Sequence, residues 1–309
     1  MLRIVTDGAA DMPPAWEKEF DIQVIPVNIR FGEKTYLQYV ELDNAGFYRM
    51  VDDTKTIPKT AQPSPHQFVE FYERIARPGD TILSIHITSK LSGTYASAVQ
   101  AAEEVKGTFE VLPFDSMVGS VAIGLMCREA RKMERAGRTA EQIVKSLEGV
   151  RERIRAYFTL DTLEYAKMSG RVGAMQAAVA SLMNVKPIAV LKDGVLNITD
   201  KVRTRKASIA RIIGMAEQEF GQTPVYLGVL QANDLPSGEA LLKESRSHFQ
   251  VVGEPVLTDL SISVAANLGP GTVGLVLYPV ECGVQRSGLR QRESVGRGRE
   301  VGRDWETLK

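Results

Sequence analysis

A turn rich in hydroxyl groups is the part of this sequence best suited to binding chemistry. Residues Thr88 to Thr94, which include Ser92 and Gly93, lie between a predicted strand, Thr81 to Ile87, and a helix predicted to begin near Tyr95. The first N–H groups of a helix lack partners within the helix and carry the positive end of its dipole, so this turn is suited to a carboxylate or a phosphate. Ser92 can add a hydroxyl donor. The alternative is that Ser92 or Thr94 simply caps the helix.

A second polar turn, Lys59 to Pro65, also precedes a predicted helix. Ser64 and Gln67 have the spacing of a capping box, with Pro65 at the first helical position. Since Ser64 is used as the cap, Thr60 is left as the free hydroxyl of this turn.

Asp7 and Asp11 follow the first predicted strand, Leu2 to Val5. In a parallel sheet, Asp7 would lie at the carboxyl edge beside both turns. It would either orient those turns through hydrogen bonds or act as an ordinary turn aspartate.

Two further polar residues occupy turns in the second half of the chain. Arg171 follows a helix predicted over Thr162 to Lys167, where its guanidinium can bind an anion or a partner's carboxylates, or simply remain in solvent. Asn267 begins a glycine–proline turn that ends at Thr272, and its amide offers both a donor and an acceptor.

Common catalytic motifs are missing from the sequence. It contains no Walker P-loop, no His-Glu-x-x-His, no Cys-x-x-Cys and no Gly-x-Ser-x-Gly. His66, His86 and His248 have no metal-ligand spacing, and His86, on an apolar strand, is expected to be a packed histidine. A phosphotransferase that uses Ser92, Gly93 and Thr94 as an anion cradle would need a base or nucleophile, and none is evident.

The order of predicted elements indicates an α/β protein with two domains. Strands are predicted at Leu2 to Val5, Gln23 to Phe31, Thr81 to Ile87 and Phe109 to Phe114, with helices between most of them, including one from Met117 to Ala136. This alternation predicts an N-terminal domain, residues 1–155, with a mainly parallel sheet and flanking helices.

The second predicted domain, residues 156–281, has a mixed sheet with helices. Its signals include a hairpin at Asp193–Gly194, helices near Lys206 to Phe220 and Ser237 to Phe249, and strands near Val225, Pro255 and Thr272. An apolar stretch, 173–183, must be buried, either as core or as the lining of a tunnel. Residues 282–309, with seven basic and four acidic side chains, are predicted to be a disordered tail.

Composition limits the possible partners. The chain has 309 residues, and its 38 basic side chains match 38 acidic ones, so no overall field favours nucleic acid or an anionic membrane. Two cysteines are too few for a disulfide framework, and no secretory leader or membrane-length apolar run is evident. We therefore expect a cytoplasmic protein without stable membrane insertion.

Taken together, the turns resemble those of the DegV family of bacterial fatty-acid-binding proteins. The resemblance runs from Leu2 to about Pro279, and its landmarks are Ile4–Asp7 with Asp11, Thr60–Ser64, Leu91–Tyr95, Asp161–Tyr165 leading to Gly170 and Arg171, Lys186–Ile188, and Gly269–Gly274. Asn267 departs from this pattern, because the family often has a histidine there.

The resemblance implies a long-chain fatty acid held between or within the two domains, with its carboxylate bound by Thr60 and Ser92. Gly93, Thr94 and Asn267 would complete the carboxylate site, and Asp7 and Arg171 would support it or face a partner. That partner would be a separate ATP-dependent fatty acid kinase, which phosphorylates the presented carboxylate for phospholipid synthesis. The chain itself would be a lipid-binding protein rather than an enzyme, with no cofactor; a regulatory lipid-binding protein without a kinase partner is the alternative.

Overall fold

A parallel sheet of four strands forms the first layer of the protein. The computed structural model describes residues 1–171 and 185–280. In this sheet the order is β2-β1-β6-β7, and every pairing is parallel. The strands are β1 Leu2–Asp7, β2 Ile22–Ile25, β6 Thr81–His86 and β7 Glu110–Asp115. Their carboxyl ends share one edge, which is where the hydroxyl-rich turn after β6 lies.

Helices flank this sheet, and local sequence signals fix where several of them begin. They are α1 Pro14–Glu19, α3 Pro65–Ile75, α4 Thr94–Glu104, α5 Val121–Arg135 and α6 Ala140–Arg153. The capping boxes predicted at Ser64 and Thr139 are confirmed: each hydroxyl accepts the N–H of the glutamine three residues later, and that glutamine accepts the N–H of the cap.

A small antiparallel sheet corrects one predicted strand. Its order is β4-β3-β5, with β3 Asn28–Phe31, β4 Lys34–Leu37 and β5 Lys59–Ala61, and helix α2, Asn44–Thr54, connects the last two. The single strand predicted over Gln23 to Phe31 was wrong, since β2 and β3 belong to different sheets. Pro26 lies at the break, where it has no N–H to continue a ladder.

The second large sheet has six strands in the order β10-β9-β8-β13-β11-β12, and only β11 and β12 are parallel. Its strands are β8 Arg155–Thr159, β9 Lys186–Lys192, β10 Val195–Val202, β11 Val225–Gln231, β12 Val256–Asp259 and β13 Val273–Pro279; its helices are α7 Glu164–Ser169, α8 Arg205–Phe220, α9 Leu235–His248 and α10 Ile262–Leu268. The predicted hairpin is confirmed, with positive φ at Asp193 (52°) and Gly194 (79°), as its two-residue turn requires.

Helix α5 packs between the two large sheets. It contacts β1 and β6 on one side and β11 and β13 on the other. Gly228 permits the close approach, because a Cβ there would lie 3.1 Å from Val121. This helix had been predicted to begin at Met117, but Met117 and Ser120 have positive φ (56° and 61°), which no α-helix accommodates.

The α/β class, with one mainly parallel and one mixed sheet, is thus confirmed. The predicted domain boundary at residue 155 stays a prediction; the six-stranded sheet begins there. The apolar stretch 173–183 and the basic tail 282–309 lie outside the described residues. Among residues 1–171 and 185–280, no helix has the length and apolarity needed to cross a bilayer.

Candidate functional site

One pocket brings together six of the seven polar or glycine positions predicted from the sequence. We call it the central pocket; about 810 Å³ of it is not filled by atoms, including the open solvent at its mouth. The predicted side chains that line it are those of Asp7, Thr60, Ser92, Thr94, Arg171 and Asn267. Gly93 is not among the lining residues but lies between two that are.

The hydroxyl-rich turn presents Ser92 and Thr94 at the start of α4. The N-cap of this helix is Gly93, so neither hydroxyl serves as the helix cap. Ser92 Oγ lies 2.9 Å from Thr94 Oγ1 and accepts the N–H of Thr94 at 3.3 Å. Both hydroxyls line the pocket, and since one of them donates to the other, the pair keeps one hydroxyl hydrogen for an anion.

Gly93 is needed for a close approach between the two polar turns. A Cβ at this position would collide with the side-chain amide of Gln62, which follows β5 and also lines the pocket. The backbone φ of Gly93, −78°, is ordinary, so the requirement is for space rather than for conformation. The contact places Thr60 and Ser92 in the same pocket.

Asp7, at the end of β1, is fully buried and joins two loops. Its Oδ1 accepts the N–H of Ala9 at 2.8 Å, and its Oδ2 accepts the N–H of Ile87 at 3.1 Å. Oδ2 also lies 2.9 Å from Nδ1 of His86. These bonds tie Asp7 to the loops after β1 and β6, while its orienting role stays a prediction; His86 is buried, as a packed histidine is expected to be.

Arg171 and Asn267 line the pocket from the second half of the chain. Arg171 lies just after α7, and Asn267 lies near the end of α10. The guanidinium of Arg171 is exposed and donates to the carbonyl of Ser169, two residues back along the chain. Asn267 donates from Nδ2 to the carbonyl of Ser263 at 2.6 Å. Asn267 lies within α10 rather than in the predicted turn, which is formed by Gly269 to Thr272.

Apolar side chains make up a large part of the remaining lining of the central pocket. Strands β8, β9 and β10, helix α10 and the loops before β3 and after β6 supply this apolar wall: Val27, Ile87, Leu91, Phe158, Leu191, Leu196, Val264 and Leu268. The polar groups are supplied mainly by loops at the ends of β1, β5 and β6. The pocket thus combines anion-binding groups with a surface suited to hydrocarbon.

Asp11 connects the two large sheets beside the pocket. Its Oδ1 accepts the N–H of Ser261 at 2.9 Å, at the start of α10, and its Oδ2 accepts the hydroxyl of Ser120, at the start of α5. Burial raises the pKa of Asp11 from 3.8 to about 7, although the hydrogen bonds from both serines oppose this shift.

Sequence reasoning missed Gln62, Ser120 and Ser263, which also line the pocket. Ser263 donates to the carbonyl of Gly8 at 3.0 Å and so fixes α10 against the loop after β1. Gln62 belongs to the polar turn that contains Thr60. Ser120 falls within the helix predicted from Met117, and Ser263 lies in α10, a helix that the sequence pattern does not predict.

The described lining of the pocket is rich in hydrogen-bonding groups. Its described lining contains hydroxyls, two amides, a carboxylate and a guanidinium, but neither a histidine nor a cysteine. Among the described residues, no cluster of three or more histidine, cysteine or acidic side chains is arranged to hold a metal ion.

Comparison with known proteins places this architecture in a family. The family model named DegV, described as an uncharacterised protein family, matches residues 1–280. A DegV domain-containing protein from Halalkalibacterium halodurans is 36% identical over 284 residues, which are 90% of this chain and 98% of that protein.

Solved structures agree. A fatty-acid-binding DegV family protein from Thermus thermophilus superposes with a TM-score of 0.83 at 29% identity, over 90% of this chain and 99% of that one. A stearic acid-binding protein from Eubacterium ventriosum gives 0.78 at 26% identity, over 90% and 98%. Because the family model spans nearly the whole described chain, this protein belongs to the DegV family.

Proposed function

We propose that this protein binds one long-chain fatty acid in the central pocket, with the carboxylate at Thr60 and Ser92. The observation that carries the proposal is that one pocket is lined both by hydroxyl groups and by a set of apolar side chains. Related DegV structures that are described as binding fatty acids support the same ligand class.

The energetics favour such a ligand. Each methylene removed from water contributes roughly 0.8 kcal/mol, so about a dozen buried methylenes exceed the cost of association. The hydroxyls of Ser92 and Thr94 and the amide of Asn267 then only need to satisfy the carboxylate, while Arg171, at the exposed side of the pocket, supplies a positive charge.

We further propose that the bound carboxylate is presented to a separate ATP-dependent kinase, and that the acyl phosphate enters phospholipid synthesis. The absence of a histidine or cysteine from the described lining fits a protein that holds a substrate for another one. Arg171 is exposed, and so is in reach of a partner.

Native mass spectrometry of the purified protein tests the binding step. We expect a bound mass that is released as a long-chain fatty acid, and folded protein free of lipid, both as isolated and after incubation with oleate, would contradict the proposal. Thr60→Ala with Ser92→Ala should keep much of the lipid, because the chain supplies most of the affinity, but should lose ATP-dependent phosphorylation by the kinase. Thr56→Ala, an exposed hydroxyl that bonds only to Thr54, is the matched control.

A further inference from the structure

A chain of four buried side chains leads from the interior of the four-stranded sheet to the central pocket. Tyr72 Oη lies 2.9 Å from Ser84 Oγ, Ser84 Oγ lies 2.6 Å from Nε2 of His86, and Nδ1 of His86 lies 2.9 Å from Oδ2 of Asp7. All four residues are 0% exposed. Only Asp7 reaches the pocket, so the other three cannot touch a ligand there.

The positions of the polar hydrogen atoms decide which group donates and which accepts in each of these hydrogen bonds. Burial raises the pKa of Tyr72, so its hydroxyl keeps its proton and can donate to Ser84. Ser84 can then donate to Nε2 of a neutral His86, whose Nδ1–H donates to the Asp7 carboxylate. Every polar hydrogen of the chain has an acceptor in this arrangement.

An arrangement with a hydrogen on Nε2 of His86 leaves one buried hydrogen-bond donor without an acceptor. A His86 that carries a hydrogen on Nε2 would donate it to Ser84. The Ser84 and Tyr72 hydroxyls would then share one contact, so one of their two hydrogens would have no acceptor among the hydrogen bonds of the described residues. A buried donor without a partner is costly, which favours the neutral imidazole with its hydrogen on Nδ1.

The end of the chain acts on the pocket through backbone groups. Asp7 receives three donors, the N–H groups of Ala9 and Ile87 and Nδ1 of His86. Ala9 and Ile87 line the central pocket, and the turn that carries Ser92 and Thr94 continues from Ile87. The orientation of the Asp7 carboxylate therefore sets how the loops after β1 and β6 stand relative to each other.

We propose that His86 is a positioning residue of the carboxylate end of the pocket: held as the neutral Nδ1–H tautomer by Ser84 and Tyr72, it fixes Asp7 and thereby the turn that binds the head group. This inference rests on the proposed function and adds a residue to it that never contacts the ligand. Low local polarity strengthens such a buried chain, and a misplaced hydroxyl turn loses its hydrogen bonds to an anion.

Two substitutions of His86 test the roles of its two ring nitrogens separately. In His86→Asn the side-chain N–H₂ occupies the place of Nδ1 and can still donate to Asp7, whereas in His86→Gln the polar end occupies the place of Nε2 and leaves Asp7 without that donor. Binding of dodecanoate and of dodecan-1-ol, measured by titration calorimetry, reports the preference of the pocket for a carboxylate. A purely structural role of His86 would weaken both ligands equally.

We expect the ratio of the two affinities to fall about tenfold in His86→Gln and to stay within about twofold of the wild type in His86→Asn. His248→Gln, which changes an exposed histidine bound to Glu217, should leave the ratio unchanged. An unchanged ratio in His86→Gln would overturn the inference. A wild-type protein that prefers dodecan-1-ol, or binds neither ligand, would instead overturn the carboxylate site itself.

Nitrogen-15 NMR of the wild-type protein provides a test that needs no lipid. It also does not depend on whether the His86 variants fold. The chain has only three histidines, so the His86 signals can be assigned by comparison with the His248→Gln and His66→Gln proteins. A neutral ring protonated at Nδ1 is expected, and Tyr72→Phe should shift the Nε2 resonance. A ring protonated at Nε2 contradicts the proposed chain.

Discussion

The two sides of the central pocket are built in different ways. The polar side uses residues at or just beyond strand ends, such as Asp7 and Ser92, whereas Phe158 and Leu191 project from the interior of strands that are paired on both edges. Residues at strand ends can set ligand chemistry with little effect on the sheet. Those in strand interiors belong to the core as well as to the pocket, so their substitution should affect both stability and binding.

The largest effect is expected on the apolar side. Phe158→Ala should lower the free energy of unfolding by about 3–5 kcal/mol, because Phe158 is buried and packs against β13 at Gly274. It should weaken binding of dodecanoate and dodecan-1-ol alike. Urea denaturation and titration calorimetry measure the two effects.

Phe249→Ala is the matched control for this substitution. Phe249 is buried in a separate apolar cluster and does not line the pocket, so its loss should cost comparable stability but leave binding by the folded protein unchanged. Equal affinities of the two variants would contradict the assignment of Phe158 to the hydrocarbon wall.

Asp11, which connects the two sides, should make stability depend on pH. Its pKa is about 7 when folded and near 3.8 when unfolded, so between these values the folded state binds more protons. Its contribution to stability is therefore complete below about pH 4 and is lost as the pH rises through about 7. Asp11→Asn removes this titration while it keeps an acceptor for Ser261 and a donor for Ser120.

The stability of the wild type relative to Asp11→Asn should decline with rising pH, by at most about 1.4 kcal/mol per pH unit. Urea unfolding at about pH 5, 6 and 8 measures the slope. Asp259→Asn, which removes a neighbouring carboxylate that raises the pKa of Asp11, should keep most of it. A difference independent of pH would show that Asp11 is ionised throughout.

The smallest effect is expected on the polar side. Gly93→Ala should cost no more than about 1 kcal/mol of stability, because the added methyl group collides with the flexible end of Gln62 rather than with backbone. It should nevertheless reduce the preference for dodecanoate over dodecan-1-ol, since Gln62 and Thr60 belong to the same turn. Adding Gln62→Ala should restore that preference if the collision is the cause.

Much of the polar side could be predicted from the sequence because its signals are local. The hydroxyl turns, their helices and the carboxyl edge of a parallel sheet are each evident within a few residues, so Thr60, Ser92 and Asp7 could be placed together. The apolar wall could not, because periodicity gives Phe158 and Leu191 the pattern of ordinary core residues.

Other features escaped because they depend on contacts far apart in the chain. Gly93 is required because the Gln62 side chain lies where a Cβ would be. The proposed role of His86 depends on its hydrogen bond to Asp7, 79 residues away. Helix α10 was missed because seven residues, Ile262 to Leu268, are too few to establish a helical period. The predicted strand runs past the end of β2 because Pro26, which has no N–H, ends the ladder within an otherwise continuous apolar pattern.

The position of α5 has a consequence for how the protein is made. On the ribosome, residues 1–155 emerge first, with α5 already able to pack on β1 and β6. Its opposite face, at Val121 and Leu125, packs on β11 around Gly228, which is synthesised about a hundred residues later. We therefore expect this apolar helix face to lack its native cover until β11 and β13 have been synthesised, an interval in which an exposed apolar surface favours aggregation.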